Sequence, residues 1–267
     1  METVCMRQRA QIFGIVLAVA ALSALAKEGE AAAPEKKTDA PIRVALFDDA
    51  GSAGKGVPRV AEQLGKSADV KLTKLSGKEI ADGALKDFDV VIFTGGSGHK
   101  QADTLGEGGR DEVRRFVRNG GGYVGICAGA YLACSGFDWG VGVLNAKTVS
   151  QKWQRGDGTV KMEVTQLGRE TTGFAPGQLD VRYDNGPIIQ PDSRKDLPPY
   201  ELVAFFRSEV AKNGTPEGIM VNSPAIVRAE CDKGRVIISS PHPEQTAGLE
   251  KFIEHAVRWV ARKEISN

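Results

Sequence analysis

Gly121-Gly122-Tyr123-Val124-Gly125-Ile126-Cys127-Ala128-Gly129 is the stretch on which the reading turns. Gly122 to Ile126 has the short apolar character of a buried strand, and the sequence from Ala128 onward reads as helix. Between them Gly125-Ile126-Cys127-Ala128-Gly129 has the form Gly-x-nucleophile-x-Gly. Small residues on both sides permit a sharp strand-to-helix turn that lifts a nucleophile out of a sheet. A Cys there sits at a helix N-terminus, where the dipole and free N–H groups favour the thiolate. The N–H of Ala128 is positioned to face a developing oxyanion. A small buried Cys at a packing point is the competing reading.

Upstream, strands alternate with helices. Ile42 to Phe47 and Val70 to Thr73 read as strands, with a helix over Val57–Leu64 between them, and Pro58 is tolerated in its first turn. A short helix is expected over Glu79–Leu85 and a buried strand over Asp89–Phe93, which stops at Thr94-Gly95-Gly96. A charged helix over Asp111–Asn119 ends at Gly120-Gly121. This alternation implies an α/β fold with a parallel sheet covered on both faces. Downstream, from about Val141 to Glu209, the strand-like runs Val160–Val164, Val181–Tyr183 and Leu202–Phe206 are separated by Gly, Pro and Asp turns. They predict an antiparallel insertion or extension of the sheet. Ala225–Ala229 and Arg235–Ser239 flank a hairpin turn at Asp232-Lys233-Gly234. The last helix is expected from about Glu244 to Lys263, with Leu249, Phe252, Ile253, Ala256, Val257 and Val260 on one face.

Two further segments carry chemistry. In Ser239-Ser240-Pro241-His242-Pro243-Glu244 a strand end can aim His242 across the top of the sheet, and Glu244 is placed to orient the imidazole. Cys127, His242 and Glu244 then make a coherent nucleophile, base and orienter set. In Thr94-Gly95-Gly96-Ser97-Gly98 the glycines allow close backbone approach, and Gly96 is the candidate second oxyanion donor. Tyr131, Asp138, Trp139 and the Asp184-Asn185-Gly186 turn are candidates for substrate contact. His99 reads as a solvated loop residue and His255 as a surface residue. Cys134 and Cys231 read as packing residues, and Cys134 is expected on the same helix as Cys127. No cluster has metal spacing, and no metal or other cofactor is expected.

Composition bounds the rest. With 35 basic and 34 acidic residues in 267, the net charge of +1 gives no electrostatic case for nucleic acid. Residues 1–26 read as a secretory signal: Arg7 and Arg9, an apolar run from Ile12 to Leu25, and a small-x-small site at Ala24-Leu25-Ala26. Cleavage after Ala26 would leave no membrane span and place the protein in the periplasm or outside the cell. Residues 27–40 read as a flexible linker and 41–263 as the folded domain. Removal of Cys5 would leave three cysteines, hence at least one free thiol.

These segments together resemble the class I glutamine amidotransferase-like superfamily, and within it the biotin-protein ligase N-terminal-domain family. The resemblance is carried by Phe93-Thr94-Gly95-Gly96, Gly121 through Tyr131, Tyr183-Asp184-Asn185-Gly186-Pro187, and Gly234-Arg235 through His242-Pro243-Glu244. It covers about Pro41 to Ala261. It implies a flavodoxin-like three-layer sandwich, a Cys127–His242–Glu244 triad, oxyanion support from Gly96 and Ala128, and substrate contacts at Gly95, Tyr131, Asn185 and Gly186. The chain departs from the glutamine-hydrolysing pattern at Tyr131, where those enzymes carry Gln, and at Thr94, where they carry Pro. The expected function is therefore an exported Cys-dependent hydrolase or acyl-transfer enzyme acting on an amide bond of a small molecule or peptide. Glutamine amidotransfer and biotin ligation are not expected. The alternatives are a non-catalytic ligand-binding module on the same fold and a thiol-based redox or stress protein.

Overall fold

The computed structural model describes residues 40–150 and 154–263. The expected signal over 1–26, Cys5 and nearly all of the expected linker lie outside the described residues.

A nine-stranded sheet runs in the order β2-β1-β3-β4-β11-β10-β9-β6-β7. Its first half comprises β1 (Ile42–Phe47), β2 (Val70–Leu75), β3 (Val90–Phe93), β4 (Gly122–Ile126) and β11 (Gly234–Ser239), all paired in parallel. Its second half, β10 (Pro224–Cys231), β9 (Glu201–Phe206), β6 (Asp157–Val164) and β7 (Gln178–Asp184), is antiparallel throughout. The middle of the sequence thus extends the main sheet. A separate two-stranded ladder joins β5 (Ala146–Thr148) to β8 (Ile189–Pro191).

Successive side chains of a strand point to opposite faces, and both faces are covered here. Val44 and Leu46 of β1 pack with Val57, Val60 and Leu64 of α1 (Gly56–Leu64) and with Phe252, Ile253, Ala256 and Val257 of α6 (Lys251–Val260). Ala45 and Phe47 pack with Ile80 of α2 (Gly77–Ala81), with Val113 and Val117 of α3 (Gly98–Arg118), and with Ala130 and Leu132 of α4 (Ala128–Ala133). Each of these Val, Leu, Ile and Phe side chains contributes about 1.5–3 kcal/mol on burial. The result is a three-layer α/β sandwich whose parallel half has the flavodoxin-like arrangement.

Several boundaries differ from the sequence reading. The helix expected over Glu79–Leu85 is two pieces, α2 and a 3-10 turn over Ala84–Asp87, because Gly83 (φ 90°) turns the chain between them. A capping box of Ser76 and Glu79 starts α2 earlier than expected. The helix expected from Asp111 begins at Gly98, capped by the Ser97 side chain. Gly106 (φ 63°) kinks it without ending it. Helix α5 (Gln166–Thr172) was hidden by its glycine and two threonines; Thr165 caps it through Gly168 N–H. The last helix starts at Lys251, not Glu244: a 3-10 turn over Pro243–Gln245 and Gly248 (φ 84°) precede it. Arg258 ties α6 to the start of β2 by a two-pronged pair with Asp69 at 2.7 and 2.8 Å.

Candidate active site

The loops after β1, β3, β4 and β11 leave the sheet at one end, the carboxyl ends of its parallel strands, where ligands bind in open α/β sheets. They enclose a cleft of about 790 Å³. Its lining includes Cys127, His242, Gly95, Gly96, Tyr131 and Asn185.

Cys127 has φ 51° and ψ −97°, a conformation that non-glycine residues adopt rarely and at a cost of about 1–3 kcal/mol. The flanking glycines make it possible. A Cβ on Gly129 would stand 2.1 Å from the Phe93 carbonyl oxygen, and one on Gly125 would stand 2.5 Å from the Gly129 oxygen. Helix α4 can therefore press against β3 only with these residues. The Cys127 N–H donates to Ser239 O at 2.8 Å, fixing the elbow to β11. Its thiol donates to the Asp184 carbonyl oxygen at 3.3 Å. The Ala128 N–H makes no hydrogen bond among the described residues.

The imidazole of His242 lies over Gly95, where a Cβ would come within 2.8 Å of its Cε1. Nδ1 is 2.8 Å from Glu244 Oε1, and both side chains are buried. That contact directs the other ring nitrogen away from Glu244. Gln245 Nε2 stands 3.1 Å from Nδ1 and 2.9 Å from Glu244 Oε1. Gln63 Nε2 donates to the Glu244 backbone oxygen at 2.8 Å and anchors this turn to α1. Burial lowers the His242 pKa, but hydrogen bonding and charge from Cys127 and Glu244 outweigh it and hold the group up at about 10. The stability this contributes is complete below the ordinary histidine value of about 6.5 and is lost as pH rises through about 10. The Cys127 thiol thus faces both the Asp184 carbonyl oxygen and the His242 imidazole.

Gly96 belongs to a loop zipped to the β1–α1 loop: Ala53 N–H donates to Gly95 O at 3.0 Å and Ser97 N–H to Gly51 O at 2.9 Å. In this narrow pair the Gly96 N–H points away from Ser52. Gly96 is glycine for two reasons, its φ of 138° and the Gly51 oxygen 2.0 Å from where a Cβ would sit.

On the opposite wall the Tyr131 hydroxyl donates to Asn185 O at 3.1 Å. Asn185 (φ 52°) closes the β7 turn through its N–H to Gly156 O and its Oδ1 from Gly156 N–H. Burial, and then the charge of Cys127, push the Tyr131 hydroxyl well above the ordinary tyrosine range, so it stays a hydrogen-bond donor.

Cys127, His242, Glu244, Gly96, Ala128, Gly95, Tyr131 and Asn185 thus converge on one place. Gly186 does not line the cleft: it is buried, with Ser240 O 2.1 Å from where its Cβ would be. Asp138 and Trp139 are also outside the lining; Trp139 packs on Phe137 and on His99, which bonds Asp103. His255 is half-buried rather than on the surface, under Gly173, and burial lowers its pKa. Cys134 lies just beyond the end of α4. Burial foremost pushes its thiol up to about 12 and that of Cys231 up to about 11, so both are poor nucleophiles. Cys127, Cys134 and Cys231 are all free.

The sequence reading passed over Lys55, Arg59, Arg182 and Gln245, which also line the cleft. Gly51-x-x-Gly54-Lys55-Gly56 directly after a parallel strand was the available signal for the first of these. The Asp184 contact is made by a backbone oxygen, and no residue type announces that.

Residues 43–155 match the family described as biotin-protein ligase, N terminal. A protein of Chlamydia muridarum (strain MoPn / Nigg) is 24% identical over 196 residues, 65% of this chain and 68% of that protein. Among solved structures, a glutamine amidotransferase superposes with a TM-score of 0.56 at 20% identity, covering 82% of this chain and 98% of that one. PurLQS from Thermotoga maritima gives 0.56 at 15% identity, with 83% and 98% covered. A ThuA-like protein from Parabacteroides merdae ATCC 43184 gives 0.56 at 12%, with 85% and 92% covered. At these identities the structural likenesses establish the fold. Residues 43–155 are thus similar to the biotin-protein ligase N-terminal family, and the fold is the one shared with glutamine amidotransferase-like structures.

Proposed function

We propose that this protein is a cysteine-dependent hydrolase or acyl-transfer enzyme acting on an amide-type bond. One observation carries the reading: a strained elbow holds Cys127 in a cleft beside an imidazole that is itself held at 2.8 Å by a buried carboxylate.

In this reading Cys127 Sγ attacks the amide carbon. His242 takes the thiol proton and passes it to the departing amine, and Glu244 keeps the imidazole oriented through Nδ1. The Gly96 and Ala128 N–H groups bind the tetrahedral oxyanion, which collapses to a thioester as the C–N bond breaks. Water, or another acceptor, then attacks the thioester with His242 as base, and the thiol is regenerated. The Tyr131 hydroxyl, spent on Asn185 O, supports a substrate side chain different from that of glutamine.

The test is the rate of iodoacetamide labelling at Cys127 against pH, mapped by peptide mass, with His242→Ala alongside. Labelling should be fast near neutrality and slow by about tenfold or more in His242→Ala. A rate at Cys127 equal to that of Cys134 and Cys231, or indifferent to His242→Ala, rules the nucleophile out. That result would favour ligand binding without turnover.

We further propose export, on the sequence pattern of residues 1–26 alone. The mature chain should begin at Lys27 on N-terminal sequencing, and an exported chain that keeps residues 1–26 overturns the cleavage.

A further inference from the structure

The charge of the cleft is unequal. Lys55, Arg59 and Arg182 line it, against one lining carboxylate among the described residues, Asp184. Asp184 is already engaged, by Arg182 at 2.9 Å and by Asn185 Nδ2 at 3.1 Å. Arg182 still has a buried Nε without a partner among the described residues. Lys55 has no carboxylate partner among them. Among the described residues Arg59 pairs with Glu62 alone, at 3.0 Å, and both side chains are about half exposed, so water and salt leave that pair weak and the guanidinium available.

Lys55 and Arg59 sit where α1 begins. This helix start carries no side-chain cap and no acidic residue in its first turn, so its unpaired N–H groups add to the same positive field. The loop leading into it is open: a Cβ on Gly54 (φ 68°) would meet nothing within 4 Å. Loop, helix start and Lys55 therefore form one wall of the cleft that holds Cys127, with Arg182 contributed from β7. A cationic ligand would be repelled from this wall, and a neutral one has no use for it.

We propose that the cleft takes amides bearing an anionic group, a carboxylate or a phosphate, seated on Lys55, Arg59 and Arg182. This rests on the reading of Cys127 as the nucleophile, and it names the class of substrate.

The test compares alkylation of Cys127 in the full chain by iodoacetate, which carries a carboxylate, and by neutral iodoacetamide, each rate divided by that of free cysteine. At low salt the normalised iodoacetate-to-iodoacetamide ratio should exceed one by about 3- to 10-fold and fall as salt is added. Because His242 also attracts anions, the deciding variant is Lys55→Met/Arg59→Met, both exposed positions. It should lower the ratio by about 3-fold or more, whereas Lys66→Met, beyond the far end of α1, should not. Acetate and inorganic phosphate, compared at equal ionic strength, should slow iodoacetate labelling. The more protective of the two identifies the anion.

A wild-type ratio near one, a ratio indifferent to Lys55→Met/Arg59→Met, or protection no better than by chloride overturns the inference. If iodoacetamide labelling stays fast and His242-dependent in that case, only the substrate class has failed. If Cys127 is inert to both reagents, the nucleophile reading fails and the inference with it.

Discussion

Cys127→Ser is expected to lose about 10³-fold or more of amide turnover while unfolding within a few degrees of the wild type. The substitution exchanges one small atom at the elbow and leaves the Cys127 N–H bond to Ser239 O and the flanking glycines in place. What it removes is the sulfur that the proposed mechanism uses to attack the amide carbon. His242→Ala should cost a similar factor. The double variant should cost little more than either single one, because groups that act as a unit are not additive. The measurement is turnover of a panel of amides and peptides, with release of amine as the readout. Retained turnover in Cys127→Ser defeats the mechanism. Absence of turnover in the wild type across anionic, neutral and cationic amides moves the case to ligand binding.

Gly129→Ala is expected to destabilise the fold by about 3 kcal/mol or more, read as a shift in the urea midpoint. The added carbon would stand 2.1 Å from Phe93 O, 2.7 Å from Phe93 C and 2.8 Å from Phe93 Cβ. Two of these atoms are backbone of β3, a strand buried along its whole length between β1 and β4, so neither can turn aside as a side-chain tip would. Gly108→Ala is the matched comparison. It lies on the exposed side of α3 with nothing within 4 Å of a new Cβ, and alanine is the better helix former by about 1 kcal/mol. It should be neutral or stabilising. Equal midpoints for Gly129→Ala and the wild type would show that α4 does not need its close seat on β3.

These two residues also show how far the sequence could be read. Gly129 and Gly125 belong to a local pattern whose geometry is dictated by the chain on either side, so the elbow was legible from nine consecutive letters. His242 and Glu244 were legible because a β-rich run ends just before them and a strand end has a direction. The antiparallel half was legible as strands but not as an arrangement: nothing in Val141 to Glu209 says which existing edge it joins. Where glycines interrupt a helix the reading stopped short. The helix expected from Asp111 runs back through Gly109, Gly108 and Gly106 to Gly98, because Leu105, Val113 and Val117 are buried in one core cluster and hold both halves. Gly186 shows the opposite error. It was read as a substrate contact from its turn, whereas close approach to Ser240 is what requires glycine there. The basic wall was missed because Lys55, Arg59 and Arg182 are scattered in a chain of nearly neutral net charge, and only the fold brings them to one cleft.

An open sheet has two rims, and an unpaired rim invites a strand from another molecule. At the β2 rim Lys71, Thr73 and Lys74 carry exposed or half-exposed polar groups that discourage such docking. The β7 rim is closed differently. Arg182 gives its N–H to Thr246 Oγ1 at 3.0 Å, and its carbonyl accepts from the His242 N–H at 2.7 Å. The segment that carries the imidazole therefore also stops the outermost strand from recruiting a neighbour. Loosening that segment should cost solubility along with chemistry, and loss-of-function changes around residues 242–246 should be accompanied by self-association.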